Sequence, residues 1–589
     1  MAETLISPGI LLRENDLSQI TEAPLAAGAA LIGPTVFGPV DIPTIVRSYS
    51  DYKSKFGGSF VSGGQNYEYL TSIAALNYFE QGGNTLLVTR VASGSYTSAT
   101  ASVPSQLADK SPSFILETLS VGEITNNSGS YNTGSGYLPS GSTANVRWEI
   151  AAASSASGQF TLLVRRGDDN VQNKTILETW TNLSLDPNQS NYIAYVIGDQ
   201  TETRQIDEFG NAYLQTSGSY ANKSRYIRVK SVLKPTPNYY GSTGIPNPAY
   251  TASVPAVSNA ASASWAGSFD GATGAIWGSY KVAPLNMFES IPTTAATTAT
   301  NNIQGVLQSS YTNAISLLSN KESYNFNVVY SPGINSQNAP TVFQSILDLA
   351  SNRGDAIAVV DMASYGATMT TVTTQAAGFD NSYAATYYPW LQVRSRETGK
   401  MNFVPPSTLI PAMYEYNDKI SAEWFAPAGL NRGTLASVLR PERKLSLTER
   451  NFLYQGKVNP IAQFSGVGTV VYGQKTLQSA ATALDRVNVR RLIISMKKYI
   501  KSVAENLVFE PNTQVTRNKF LNQVNPYLEY IQQRQGLYAF QVIMDDSNNT
   551  ADVVDRNQLV GAVYIQPTRV AEFIYIDFNI MPTGASFGA

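Results

Sequence analysis

The chain has no cysteine and no histidine among its 589 residues. Without thiols it can form no disulfide framework, zinc–thiolate site or thiol nucleophile. Without imidazole it lacks the common general base, the Ser–His couple and His-ligated metals. Charge is also scarce. Asp, Glu, Lys and Arg make up 14% of the residues, against about 25% in ordinary soluble chains. With 41 Lys+Arg and 43 Asp+Glu the formal net charge is −2. That balance excludes a nucleic-acid binder working through bulk positive charge and a charge-rich disordered protein. Carboxylate, lysine or tyrosine chemistry stays open, but no carboxylate pair stands out for acid–base hydrolysis.

What is present is a folded composition: 43% hydrophobic residues and 11% aromatics, including 34 Tyr. The length suggests roughly three to five domains. A large, nearly neutral, charge-poor chain fits a subunit of a large assembly. The best uncharged run is residues 23–40. It has no basic lead-in, and Pro24, Pro34 and Pro39 with Gly28, Gly33 and Gly38 would break a membrane helix. It reads as a buried strand between turns. No membrane span and no secretory signal are expected, so the chain should be soluble and intracellular when made.

Residues 1–20 form an apolar strip around Pro8-Gly9, with Leu5, Ile6, Ile10, Leu11 and Leu12. It is too short to own a core, so it docks on its own domain or on a neighbour. Residues 21–92 read as α/β: strands at Ala29–Ile32, Thr44–Val46 and Thr85–Val91, and a helix over Tyr67–Gln81 stopped by Gly82-Gly83. From about Ala92 to residue 269 the chain turns rich in Ser, Thr, Gly, Asn and Tyr. Short strands are expected at Phe114–Leu119, Val146–Ile150, Phe160–Arg165, Tyr192–Val196 and Tyr226–Val232. This stretch reads as a β-rich insertion on the outside of the first unit. The α/β pattern resumes near Asp270, with Phe326–Tyr330 and Ala356–Val360 flanking an amphipathic helix at Val342–Ser351, a parallel crossover unit. No tandem repeat is visible.

A third region begins near residue 386. One long helix is expected near Val489–Asn506, capped by Asn488, with Leu492, Ile493, Met496, Ile500, Val503 and Leu507 as its apolar stripe. A second lies within Thr513–Arg534, with Val515, Val524, Leu528 and Ile531 facing inward and Pro526 as a possible interruption. Strands follow at Leu537–Met544 and Val560–Ile565. In the final strip, Ile574, Ile576, Phe578 and Ile580 share one face, and Phe573, Tyr575, Asp577 and Asn579 the other. Residues 485–534 carry nine Lys/Arg and four acids, a net +5, whereas residues 535–589 carry two Arg and six acids, a net −4. Such a pattern is either a solvated helix face or a pair of complementary patches, between subunits or towards an acidic partner.

The short motifs carry no chemistry. Gly466-Val467-Gly468 has the wrong spacing for a dinucleotide loop, and Gly456-Lys457 is followed by Val458, so it is not a phosphate loop. Ser495 to Lys498 matches SxxK only within a helix. Asp545-Asp546 offers too few oxygens for a hard cation and reads as a turn. Asn126-Asn127-Ser128 is a formal glycosylation acceptor without secretory context. No catalytic residue, cofactor site or metal site is expected.

Several segments, taken in order, resemble the contractile tail sheath proteins of myovirus-type, T-even-like phages. They are ALIGPTVFGPVDIPTIVRSYSDYKSKFGG (30–58), YFEQGGNTLLVTRV (78–91), Asp270-Gly271, YSPGI (330–334), NRGDAIAVVD (352–361), YYPWLQV (387–393), VPPS (404–407), WFAPAGLNRG (424–433), NVRRLIISMKKYI (488–500), VFEPN (508–512) and FIYIDFNI (573–580). No single motif decides this; order and spacing do. The resemblance implies an α+β multidomain fold. Its parts would be an N-terminal linking arm (1–20), an α/β middle domain (21–92 with 270–385), a β-rich outer insertion (93–269), a mixed α/β inner, tube-facing domain (386–570) and a C-terminal linking arm (571–589). It implies hexameric rings stacked helically around a tail tube. These would contract without fuel hydrolysis, with the chain itself, the tube protein, and baseplate and tail terminator proteins as partners. No nucleic acid or membrane is implied. The protein would sit in the virion tail and, during assembly, in the host cytoplasm. Strand exchange between copies would run through Leu5, Ile6, Ile10 and Leu11 at one end and Phe573, Ile574, Tyr575, Ile576, Phe578 and Ile580 at the other. Arg490, Arg491, Lys497, Lys498 and Lys501 are the candidates for touching the tube. Two alternatives are the sheath of a contractile bacteriocin or secretion-like injector and a β-rich carbohydrate-binding virion protein.

Overall fold

The computed structural model describes residues 25–62, 65–92, 94–129, 137–241, 244–258, 267–274 and 303–572. Its centre is an eight-stranded sheet in the order Gly468–Val471, Asn459–Phe464, Ala384–Tyr388, Ile357–Asp361, Val328–Asn335, Ala29–Gly33, Leu86–Arg90, Thr44–Val46. The six inner strands are parallel, and each edge strand is antiparallel to its neighbour. Ala29–Gly33, Leu86–Arg90, Val328–Asn335, Ile357–Asp361 and Ala384–Tyr388 are buried at every residue, as parallel strands covered on both faces must be. That is why the first four of these read as mainly apolar runs in the sequence, while Ala384–Tyr388 is not among the expected strands.

The covering helices follow from local rules. Leu70–Glu80 stops before Gly82, whose φ of +102° suits glycine. Pro340–Arg353 opens on proline at its first turn and closes on Gly354 at φ +67°, whose N–H returns to Ala350 O. Val342, Phe343, Ile346, Leu347 and Ala350 line its buried side. This helix joins Val328–Asn335 to Ile357–Asp361, giving the expected parallel crossover.

The expected boundary between residues 385 and 386 falls inside this sheet. Tyr387 and Tyr388 pair with Asn459 and Pro460, so residues beyond 386 complete the same core. The reason is hydrogen-bond continuity: a parallel inner strand needs a partner on each side, and Ala384–Tyr388 finds its second partner at 459–464.

The insertion has its own core. Ser98–Pro104, Pro112–Val121 and Ile227–Val232 make one three-stranded sheet, and Val146–Ser154, Gln159–Arg166 and Ile176–Ser184 another. Their inward residues, among them Phe114, Leu116, Trp148, Phe160 and Ile227, share one cluster separate from the main core. Phe269 and Ala272 belong to it, so the insertion closes slightly beyond residue 269. Asn126 helps to close it: its side chain donates to Ala272 O at 2.8 Å and accepts from Ala272 N at 2.9 Å. Tyr192–Val196 is not a strand. Ile193–Ile197 is a short helix, a conformation that so short an apolar run does not distinguish by period. The hairpin of Thr201–Ile206 and Ala212–Ser217 reaches back to the main core through Ala212 and Leu214.

A third core lies at the C-terminal side. The helices Val487–Glu505 and Gln514–Gln533 pack on an antiparallel pair, Leu537–Ile543 with Ala562–Pro567. Pro526 lies inside the second helix without ending it. Among the described residues no helix is long and apolar enough to cross a membrane.

Candidate functional site

The C-terminal unit presents the feature most suited to assembly. Leu537–Ile543 and Ala562–Pro567 form a two-stranded sheet with no third strand among the described residues. Phe540 pairs with Ile565 and Val542 with Val563, and these four rest on the helices. On the opposite face Ala539, Gln541, Tyr564 and Gln566 are exposed. Two strands alone are marginal in water, and each outer edge carries N–H and C=O groups ready for another strand. The expected strand donors, Leu5, Ile6, Ile10 and Leu11 and Phe573, Ile574, Tyr575, Ile576, Phe578 and Ile580, lie outside the described residues.

The helix Val487–Glu505 carries all five expected tube-facing cations, but they point to different places. Arg490 is buried; its Nε donates to Ser382 O at 3.2 Å and its guanidinium lies 4.0 Å from the Tyr383 ring centre. Arg491 is buried against Asp418 and over the Tyr414 ring. The ammonium of Lys498 donates to Asn325 Oδ1 at 2.9 Å, Phe326 O at 2.8 Å and Asn327 Oδ1 at 2.5 Å. Burial pushes it down to about 8. Only Lys497 and Lys501 are exposed; Lys497 touches Tyr383 Oη at 3.2 Å and Lys501 pairs with Glu505 at 3.3 Å. The five-residue basic face therefore narrows to two, because the other three cations satisfy groups of their own subunit.

The helix ends and stripes also differ from expectation. Arg486, not Asn488, precedes the first turn; Asn488 is buried and donates to Trp424 O at 3.1 Å. Leu492, Met496 and Val503 face the C-terminal core, whereas Ile494 joins the main core and Ile493 is only half-buried. The helix thus serves two cores, which a single stripe cannot describe. In Gln514–Gln533 the expected inward Val515 is 66% exposed. Thr516, Arg517 and Phe520 are buried instead, with Arg517 Nη1 on Asp546 Oδ1 at 2.5 Å and Nε on Asn512 Oδ1 at 2.9 Å.

The unpredicted feature is where the chain leaves the hairpin. Glu572 accepts four hydrogen bonds. Arg486 Nε and Gln474 Nε2 reach Oε1 at 2.7 and 3.1 Å; Arg486 Nη2 and Tyr454 Oη reach Oε2 at 2.9 and 2.7 Å. Burial alone would raise this carboxyl, but the bonds from Arg486, Tyr454 and Gln474 hold it below the usual range. Lys475 sits 4.5 Å above the Tyr454 ring. A cavity of about 240 Å³ borders this site, lined by Arg450, Tyr454, Tyr472 and Glu572 among others. Two cations of the basic stretch, Arg486 and Arg517, thus pair with two acids of the acidic stretch, Glu572 and Asp546, inside one subunit.

The short motifs are structural. Gly466 and Gly468 (φ +81° and +99°) turn the hairpin between Asn459–Phe464 and Gly468–Val471. Gly456 ends the helix Leu447–Gln455. Asp545 accepts from Ser547 N at 2.8 Å in a turn after the strand Leu537–Ile543. Among the described residues no group of His, Cys, Asp or Glu could hold a metal.

Residues 304–477 match the phage tail sheath protein central domain, and residues 479–581 match the phage tail sheath C-terminal domain. The division at 477/479 falls just before the helix that opens the third core. The tail sheath protein of Vibrio phage KVP40 is 37% identical over 216 residues, covering 37% of this chain and 31% of the relative. That of Enterobacteria phage T4 is 36% identical over 185 residues, covering 31% and 28%. The aligned part spans under a third of the length of these two relatives. Among solved structures, the sheath tail protein of Listeria innocua aligns over 93% of this chain and 96% of its own at 11% identity, with a TM-score of 0.49. Residues 304–477 and 479–581 thus resemble the two consecutive domains of phage tail sheath proteins, and parts of the chain are similar in sequence to the tail sheath proteins of these two phages.

Proposed function

We propose that this chain is the structural subunit of a contractile phage tail sheath. Copies polymerise as helically stacked hexameric rings around a tail tube, and the array shortens to drive the tube through the host envelope. The carrying observation is the two-stranded sheet at 537–567, whose two outer edges lack partners among the described residues. Strands from residues 1–20 and 573–589 of neighbouring copies add to those edges. Main-chain hydrogen bonds of that kind persist while rigid domains rotate. A head-to-tail contact does not close on itself and so builds helical arrays.

The remaining features fit a mechanical role. The insertion, with a core of its own, sits on the outside of the cylinder, where it does not obstruct packing. Lys497 and Lys501 face an acidic tube surface; contacts between exposed charges are weak and screened, which suits a sheath that must release its tube. No catalytic step is involved, so the work comes from a metastable extended lattice that the baseplate releases. Negative-stain microscopy of the purified protein tests this reading. Hollow striated cylinders are expected; a protein that stays monomeric under all assembly conditions overturns it.

A further inference from the structure

After the strand Ala562–Pro567 the chain does not end on the C-terminal unit. It crosses to the main body, where Glu572 meets residues from three separate places. Tyr454 comes from the helix Leu447–Gln455, Gln474 follows the edge strand Gly468–Val471, and Arg486 immediately precedes the helix Val487–Glu505. Both carboxylate oxygens are doubly engaged, at 2.7 to 3.1 Å. Arg486 is itself held by Asp485 at 2.7 Å. A two-point Arg–carboxylate contact fixes direction as well as distance. The residues immediately before Glu572, namely Arg569, Val570 and Ala571, are exposed and add nothing to the cores. The carboxylate is therefore the one strong attachment, among the described residues, between the hairpin's exit and the body.

We propose that Glu572, clamped by Arg486, Tyr454 and Gln474, is the tether that fixes residues 573–589 to their own subunit while those residues are held by a second copy of this chain. The inference rests on the strand-exchange reading above and names the point where tension from the neighbour enters the donor. Pull on the donated segment then passes through Glu572 and Arg486 into the helix Val487–Glu505 and, through Tyr454 and Gln474, to the edge of the main sheet. Without the clamp the segment would hang from the two-stranded hairpin, and pulling would peel Ala562–Pro567 from its partner.

Full-length Glu572→Ala, Glu572→Gln and Tyr454→Phe variants test this, beside a chain truncated after Glu572. Each is scored for the critical concentration of cylinder formation, by sedimentation, and for the thermal midpoint of the unassembled subunit. For Glu572→Ala the critical concentration should rise about tenfold or more, the scale of losing charge-assisted hydrogen bonds, while the subunit, with its midpoint lowered by the lost contacts, stays folded at the assembly temperature. Glu572→Gln and Tyr454→Phe should fall between Glu572→Ala and the parent. Charge exchange, Arg486→Glu with Glu572→Arg, should recover part of the loss. If Glu572→Ala assembles at the parental concentration while the truncated chain does not, the tether is refuted and strand exchange stands. If the truncated chain assembles like the parent, strand exchange itself fails. Loss of assembly only in variants whose subunit is already unfolded at the assembly temperature would assign Glu572 to folding and overturn the proposal.

Discussion

Arg491 of the helix Val487–Glu505 holds Asp418 of the helix Ile410–Ile420 in a two-point contact, with Nη1 on Oδ1 at 2.9 Å and Nη2 on Oδ2. The guanidinium also lies 4.7 Å from the Tyr414 ring centre. Tyr414 in turn shares a hydrogen bond with Tyr387, on an inner strand of the main sheet, at 2.6 Å. This chain of contacts joins the C-terminal helix to the central core.

Replacing Arg491 by Met should therefore destabilise the subunit on the order of 3 kcal/mol, because it leaves the Asp418 carboxylate facing a half-buried site without its partner. Arg491→Lys should recover only part, since an ammonium cannot reproduce the two-point geometry. Urea denaturation of the unassembled subunit measures both.

The lysines of the same helix should separate by role. Lys498→Met strands the acceptors Asn325 Oδ1, Phe326 O and Asn327 Oδ1 and should cost about 1–3 kcal/mol of stability. Lys497→Glu with Lys501→Glu should leave stability within about 0.5 kcal/mol, as exposed positions do, while weakening assembly on a tube. The check is unfolding in parallel with tube-templated assembly at low and high salt. Equal loss of stability in both variants would contradict the division.

Acid–base behaviour should follow Asp361. Its carboxylate is buried at the end of an inner strand and accepts from Ser407 N at 3.1 Å and Ser407 Oγ at 2.5 Å. Burial nevertheless pushes it up to about 7, with the Ser407 bonds opposing. The folded state holds this proton more tightly than the unfolded chain. Its contribution is therefore fully present below about pH 4 and is lost as pH rises through about 7. Asp361→Asn should flatten the fall in thermal midpoint between pH 4 and 8. A residual slope should persist, because Glu68 and Glu415 are also raised to about 7 by burial.

The insertion should unfold on its own. Arg165 is fully buried between Asp169, at 2.7 and 2.8 Å, and Glu149, at 2.7 Å. Arg165→Leu leaves two buried carboxylates without their shared cation. Limited proteolysis should then cut first in the part of the insertion built on its own core and spare residues 303–572, none of which contributes to that core.

How much of this was legible depended on the kind of interaction. Four inner strands, Ala29–Gly33, Leu86–Arg90, Val328–Asn335 and Ile357–Asp361, are legible as mainly apolar runs because both faces are covered, whereas Ala384–Tyr388 and Asn459–Phe464, richer in polar and aromatic residues, are not. Strands without a buried residue, such as Thr201–Ile206, are mostly polar and give no signal. The two long helices were visible by period. Their inward faces depart from the period where a buried polar residue replaces an apolar one, as Arg517 does beside exposed Val515, or where one helix touches two cores, as at Ile494. The basic stretch was visible, but not that Arg486, Arg490, Arg491 and Lys498 serve their own subunit. Those partners lie at Glu572, Ser382, Asp418 and Asn325, far away in sequence. The clamp at Glu572 was hidden for the same reason: its donors come from residues 454, 474 and 486, and nothing local marks them.

Electron microscopy of the purified chain truncated after Glu572 tests the central claim most directly. The account predicts a subunit folded like the parent that forms no cylinders at concentrations where the full chain does. Intact, striated cylinders from the truncated chain would contradict it.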